Sequence, residues 1–267
     1  MPPRNLTDAE IREYWTQQAR EHGESPAASW SDRRAIDLEI RTLLPRIPKD
    51  AVVADLGCGN GWSTIHYAAR ASEIVGVDYV PELIASASSR LNALGDDQKR
   101  RMRFEVGDVR ALTLPEGSFD CVILTRVLIN LPSDSDRRAA LRGIAKLIRP
   151  GGVALISEAT LGGWARLNAL RAEWGLDAIP IPAFNRYIDE SALASEAAPL
   201  LLLEETVDFA STYFVLTRLI KPLLARVPGV TVDPADPESE FNRFAAMLPA
   251  GGDYGTQKLF VLRRSQI

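Results

Sequence analysis

The chain has 267 residues, between one and two domains at about 150 residues each. Its apolar share of 46% and charged share of 25% exclude a disordered, fibrous or low-complexity chain and assure a sizeable core. A net charge of −4, from 31 cations and 35 anions, argues against a nucleic-acid binder, which rests on a basic face. In chain order, Thr7-x-x-Glu10 reads as a capping box. It opens a helix with Ile11, Tyr14, Trp15 and Ala19 at helical spacing and Gly23 as its stop. A loop over 24–30 leads to a second helix, capped by Ser31, carrying Ile36, Ile40, Leu43 and Leu44, and ended by Pro45 and Pro48.

From Ala51 the pattern becomes short β-rich runs alternating with helices. Strands are predicted at 52–56, 73–78, 102–107, 119–125 and 153–158, with helices near 62–71, 81–94 and 134–148. Lys99-Arg100-Arg101 with Arg103, beside Asp96 and Asp97, reads as a solvated loop or strand entrance. Two further strands are predicted at 201–208 and 258–262. The alternation implies an α/β fold with a doubly wound, mostly parallel seven-stranded sheet. Two helical stretches fall outside that rhythm, and insertions of such length are often lids or binding elements. The division expected is an N-terminal helical lid over 1–50, a ligand-binding core over 51–158, a helical cap over 159–200, and the last strands with a second insertion over 201–267.

Cys58 and Cys121 form neither a disulfide framework nor a zinc site, and read as small hydrophobes. The N-terminus has no signal-peptide core, and no apolar run approaches the roughly 20 residues that span a bilayer. A cytoplasmic protein without membrane, metal or nucleic-acid partners is expected.

The strongest signal is Val52-Val53-Ala54-Asp55-Leu56-Gly57-Cys58-Gly59-Asn60-Gly61, an apolar strand running into a glycine turn. Glycines let backbone approach a ligand closely, and the end of a first strand is the usual crevice of an open α/β sheet. A dinucleotide site asks for G-x-G-x-x-G, but Trp62 occupies the third glycine's place. That departure disfavours a nicotinamide-dependent oxidoreductase.

This turn resembles the first motif of the class I S-adenosylmethionine-dependent methyltransferases. The resemblance continues through Val75-Gly-Val-Asp78-Tyr79, Val106-Gly-Asp108-Val109, Phe119–Thr125 and Leu147-Ile-Arg-Pro-Gly-Gly152, in the family's order. It implies a Rossmann-like fold with S-adenosylmethionine bound in the core over 51–158. Around Gly57, Cys58 and Gly59 the backbone would then hold the methionine part, and Asp55 its ammonium. Asp78 would accept the ribose hydroxyls, Asp108 and Val109 would meet the adenine, and Leu56 and Tyr79 would cover the adenine or ribose faces. Thr125 would border the same ligand, and Tyr14 and Trp15 would form an aromatic lid. The stretch Arg126–Pro132, with Ser157-Glu158 and Trp164–Trp174, is similar to a bacterial small-molecule subgroup associated with secondary metabolites or glycans. It lacks the Asn/Asp-Pro-Pro-aromatic motif of amine methylation on nucleic acids.

Methyl transfer to oxygen, favoured over nitrogen, on a small molecule is therefore expected. The alternative is a cofactor-binding regulator or scaffold without methylation activity. Neither His22 nor His66 stands where a base is needed, so Glu158 is the candidate base and Arg126 its catalytic neighbour. Trp30, Trp164, Trp174, Phe184, Tyr187 and Tyr213 are candidate acceptor walls. Arg171 and Arg218, with Arg126, are candidate clamps for an anionic acceptor with an apolar or aromatic body.

Overall fold

The central β-rich runs become strands because they are apolar on both faces, as a sheet covered by helices on both sides requires. In the computed structural model, which describes residues 6–265, the strands form one sheet in the order β3-β2-β1-β4-β5-β7-β6. They are β1 (Ala51–Leu56), β2 (Ala71–Asp78), β3 (Met102–Val106), β4 (Phe119–Thr125), β5 (Ile148–Ala159), β6 (Leu201–Val207) and β7 (Gln257–Arg264). Pairings among β1 to β5 are parallel, while β7 runs antiparallel between β5 and β6. The period of two divides the core into two layers. Ala54, Val122 and Leu124 pack against Leu141 and Ile144 of α6 (Asp134–Leu147). Val53, Cys121 and Ile123 pack on the other side against Ile36, Ile40 and Leu43 of α2 (Arg33–Leu43).

The order 3-2-1-4-5 means that the chain leaves β1 in one direction and returns to its other side as β4. Their carboxyl ends therefore diverge into a crevice, the place where open α/β sheets bind ligands. Helix α1 (Asp8–His22) has the capping box expected from Thr7 and Glu10, and Gly23 ends it. It lies over that crevice: Arg12 donates to the Tyr79 carbonyl at 2.9 Å, and Arg20 pairs with Glu82 at 3.0 Å.

Several boundaries differ from the sequence expectation. Asp32, not Ser31, caps α2, because its carboxylate accepts the Ala35 N–H. The stretch Asp96–Arg101 is a short helix, α5, with acids in its first turn and cations in its last, an arrangement that complements the helix dipole. Helix α3 is confined to Trp62–Tyr67, shorter than expected, and α4 spans Pro81–Asn92. The Arg149-Pro-Gly-Gly152 turn is an irregularity inside β5 rather than a loop before it.

The first insertion holds α7 (Leu161–Glu173) and α8 (Glu190–Ala197). The second holds α9 (Ser211–Val215), a π-turn over Leu216–Ile220, α10 (Lys221–Leu224) and α11 (Glu240–Ala245). Asp32 ties this second insertion to α2: it accepts from Tyr213 Oη at 2.7 Å and Arg218 Nη2 at 2.6 Å while 2% exposed. Asp32→Ala should thus lower unfolding stability by about 2–4 kcal/mol, through a lost cap and a lost charged hydrogen bond. Chemical denaturation checks this, with the more exposed Asp37→Ala as a control expected to change it by under about 0.5 kcal/mol.

Candidate functional site

The crevice is a cleft bordered by α1, the glycine turn and the ends of β2, β3 and β4. Its floor is the glycine turn. Gly57 has φ 74°, and a Cβ there would meet Val127 Cγ2 at 2.2 Å, so only glycine fits. Gly59 has φ 55°, and a Cβ there would stand in open space. The turn is fixed from beneath: Gly57 N and Cys58 N donate to the Val77 carbonyl at 2.7 and 3.0 Å. Asp78 completes the fixing, accepting from Gly59 N through Oδ2 and from Val80 N through Oδ1, both at 3.0 Å.

Two carboxylates thus stand buried together at the turn. Asp55 is 1% exposed; its Oδ2 accepts from Thr64 Oγ1 at 2.6 Å, and its Oδ1 has no partner. Burial pushes its carboxyl up to about 7, with the nearby Asp78 and Glu39 charges adding to the shift. Burial likewise raises Asp78 to about 6, against the lowering effect of its backbone donors. Asp108 differs. Burial pushes it up, but Arg110 outweighs this and holds it below its ordinary value, and the same guanidinium reaches Asp8 of α1 at 3.0 Å.

At the end of β4 the backbone turns sharply. Arg126 has φ 58°, a region a non-glycine residue rarely adopts. Its N–H donates to the Ser157 carbonyl at 2.8 Å, and its carbonyl accepts from Asn130 Nδ2 at 2.6 Å. The guanidinium lies 5.3 Å from the Trp30 ring centre and is ion-paired with Glu39 of α2.

Glu158 is the main correction. It is fully buried, and its carboxylate accepts from Val127 N at 2.9 Å, Leu128 N at 2.6 Å and Ile129 N at 3.3 Å. It caps the turn after β4 and does not border the cleft, so the arrangement gives it no access to an acceptor's proton. Burial raises its carboxyl to about 7 in spite of those donors.

The structure gathers most of the expected cofactor residues. Every residue from Asp55 to Gly59 borders the cleft, as do Asp78, Tyr79, Asp108, Val109 and Thr125. Trp15 and Arg126 border it as well. Tyr14 does not: it stacks on Phe184 at 4.3 Å, and Trp15 meets that ring edge-on at 5.6 Å. Phe184 therefore backs the lid rather than lining the cleft.

Most of the expected acceptor walls hold the insertions together instead. Trp164 Nε1 donates to the Ile179 carbonyl at 2.8 Å, Arg171 donates to the carbonyls of Asp177 and Arg218, and Arg218 pairs with Asp32. Tyr213 is buried on Asp32, Tyr187 packs on the core, and Trp174 faces solvent at 59% exposure. Trp30 lies behind Arg126. The anionic clamp expected of Arg126, Arg171 and Arg218 thus keeps only Arg126 at the cleft.

Sequence reasoning missed Asn60, Trp62, Arg110 and Asn130, all at the cleft, and Glu39 behind it. Asn60 Nδ2 holds the carbonyls of Gly23 and Ser25 at 2.9 and 2.7 Å, latching the lid to the glycine turn. Asn60 and Trp62 lie within the motif itself; the pairings of Arg110 and Glu39 are long-range and leave no local signal.

A cleft with a partnerless buried carboxylate oxygen, a second carboxylate and a glycine floor open to a ligand fits a nucleoside carrying a cationic amino-acid tail. Comparison with known proteins agrees. Residues 53–152 match the family model described as a methyltransferase domain. A malonyl-[acyl-carrier protein] O-methyltransferase of Erwinia billingiae is 29% identical over 157 residues, 58% of this chain and 57% of that protein. The chain spans about half the length of the curated relatives it matches. Among solved structures, the N-methyltransferase NodS of Bradyrhizobium japonicum, in complex with S-adenosyl-l-homocysteine, has a TM-score of 0.55 at 14% identity, covering 94% of this chain and 98% of that one. The [4+2]-cyclase SpnF has a TM-score of 0.65 at 18% identity, covering 99% of each chain. Both share the fold.

Glu158→Ala should destabilise the protein by about 3 kcal/mol or more, because three inward N–H groups lose their acceptor at about 1–3 kcal/mol for each unsatisfied group. Thermal and chemical unfolding check this; unchanged stability would contradict the capping role.

Proposed function

We propose that this chain, a member of the class I S-adenosylmethionine-dependent methyltransferases through its domain at residues 53–152, methylates a small molecule. The observation that carries the reading is the pair Asp55 and Asp78 at the glycine turn, buried, with one oxygen of Asp55 unpartnered. When bound, S-adenosylmethionine supplies a methyl group on an electrophilic sulfonium. Asp55 would hold its ammonium, the Gly57–Gly59 backbone its methionine part, Asp78 its ribose hydroxyls, and Tyr79, Asp108 and Val109 its adenine. Thr125 and Arg126, at the β4 end of the same cleft, face the acceptor's side.

The chain's own contribution is position. The turn after β4, fixed by Glu158, and the lid, fixed by Asn60 and Arg110, set the acceptor's approach and keep water away. Proximity and orientation can supply much of the rate of such a displacement without a dedicated base. We place the acceptor in small-molecule biosynthesis, with oxygen favoured over nitrogen.

Calorimetry tests the reading: S-adenosylhomocysteine should bind and NAD should not. Asp78→Ala should weaken that binding roughly tenfold to a hundredfold, since hydrogen bonds to a charged group contribute about 1.5–3 kcal/mol. Binding of S-adenosylhomocysteine with no transfer to any acceptor in a broad screen would instead support a cofactor-binding regulator.

The raised carboxyls fix the sign of the pH dependence. The ligand's ammonium needs Asp55 ionised and its ribose hydroxyls need Asp78 ionised, so affinity should fall as pH drops through about 7 and then about 6. Stability of the free protein should move oppositely. Groups whose folded-state values are raised favour the folded state at low pH and lose that contribution as pH rises through 6 to 7. Titrations of affinity and of unfolding free energy between pH 5.5 and about 8 check both signs.

A further inference from the structure

The charges at the cleft do not suit an anionic acceptor. Among the described lining residues the acids are Asp8, Asp55, Asp78 and Asp108, and the cations are Arg110 and Arg126. Arg110 is committed to two of those acids: its guanidinium lies 2.6 Å from Asp108 Oδ2 and 3.0 Å from Asp8 Oδ1. That leaves Arg126 as the cation an acceptor carboxylate could use. Its charge is already met from behind the cleft wall by Glu39, which is completely buried.

Glu39 is held to this task. Its Oε1 accepts from Ser157 Oγ at 2.6 Å and from Gln257 Nε2 at 3.2 Å, while Oε2 takes the guanidinium of Arg126. Ser157 and Gln257 in turn hydrogen-bond each other at 3.2 Å. The carboxylate is therefore anchored by two strands of the sheet and cannot swing away to make room. Trp30 flanks the guanidinium at 5.3 Å and restricts its other face. Arg126 thus offers its remaining N–H groups as hydrogen-bond donors with little net charge behind them.

Resting on the methyltransferase reading, we propose that Glu39 is a specificity-determining residue: by neutralising Arg126 it closes the acceptor end of the cleft to carboxylates and admits an uncharged hydroxyl or amine acceptor with an apolar or aromatic body. A carboxylate entering here would share one guanidinium with the buried carboxylate of Glu39. It would exchange its water shell for like-charge repulsion. A neutral oxygen or nitrogen accepts the same N–H groups without that repulsion. Discrimination by an unpaired or repelled charge is a common route to specificity. The anionic acceptor expected from the sequence gives way to this reading.

The experiment uses protein saturated with S-adenosylhomocysteine and three probes sharing one aromatic ring: benzyl alcohol, aniline, which is uncharged at the pH used, and benzoate. Saturation-transfer NMR at pH 8 reads their binding to wild type and to Glu39→Gln. Wild type should bind the alcohol about tenfold or more tightly than benzoate, and Glu39→Gln should gain benzoate binding about tenfold while keeping the alcohol. A purely structural role for Glu39 would weaken all the probes together in the variant and leave wild type without preference. Benzoate binding to wild type as tightly as the alcohol, or failure of the alcohol to bind, overturns the proposal. The wild-type comparison decides it alone if the variant does not fold. Loss of S-adenosylhomocysteine binding itself, measured first by calorimetry, would overturn the cofactor reading instead.

Discussion

Five carboxylates, Asp32, Glu39, Asp55, Asp78 and Glu158, are each at most 7% exposed, and the cleft depends on how each is kept in that state. A buried charge without donors is costly, so each must gather N–H or O–H groups or a guanidinium. Those groups belong to the segments that a parallel sheet leaves irregular. Asp78 gathers the glycine turn, Glu158 the turn after β4, Asp32 the start of α2 and the second insertion, and Glu39 the strained residue Arg126. Regular strands supply the frame, and these carboxylates hold the loops to it. Asp55 is the exception, with one oxygen left unpartnered. The site is incomplete at that atom, which is where a cationic ligand is wanted.

The frame was legible because it is written locally. Five strands alternate with helices at short range, and the glycine turn sits where β1 ends, so fold class and cofactor wall follow from adjacent residues. The acceptor side was not legible. Glu39 meets Arg126 across 87 positions, and Arg110 meets Asp8 across 102. Glu158 shows a different failure. Its place at the carboxyl end of β5 is as expected, but neighbouring strand residues point to opposite faces. Ser157 faces Glu39, and Glu158 lies under the turn after β4. The pattern of apolar residues on both faces of a buried strand does not say which polar neighbour reaches the ligand.

The insertions were misassigned for a related reason. Their aromatic and arginine residues have the composition of a binding wall, yet helices outside a sheet must also be joined to it and to one another. Trp164, Arg171, Tyr213 and Arg218 spend their polar atoms on carbonyls and on Asp32. A side chain so committed is positioned by the fold and is not free to meet a ligand. Composition alone does not separate the two uses.

Arg126 links these constraints. A left-handed backbone at a non-glycine residue is unfavourable and persists only where the surroundings over-determine it. Here the Ser157 carbonyl, the Asn130 amide, the Glu39 carboxylate and the Trp30 ring all act on the one residue. Three of the four come from elements other than its own turn: β5, α2 and the loop before α2. The proposed acceptor end of the cleft is therefore shaped jointly by the sheet and the N-terminal segment, while the proposed cofactor end is built mainly from the carboxyl ends of β1, β2 and β3. The glycine turn tolerates little sequence change, because Gly57 has Val127 against its missing Cβ and Asp78 pins Gly59. The acceptor end has no such single template, since a change in α2 alters the charge at Arg126 without touching the cofactor wall. One scaffold can in this way keep its methyl donor site and acquire a new acceptor through residues that never border the cleft.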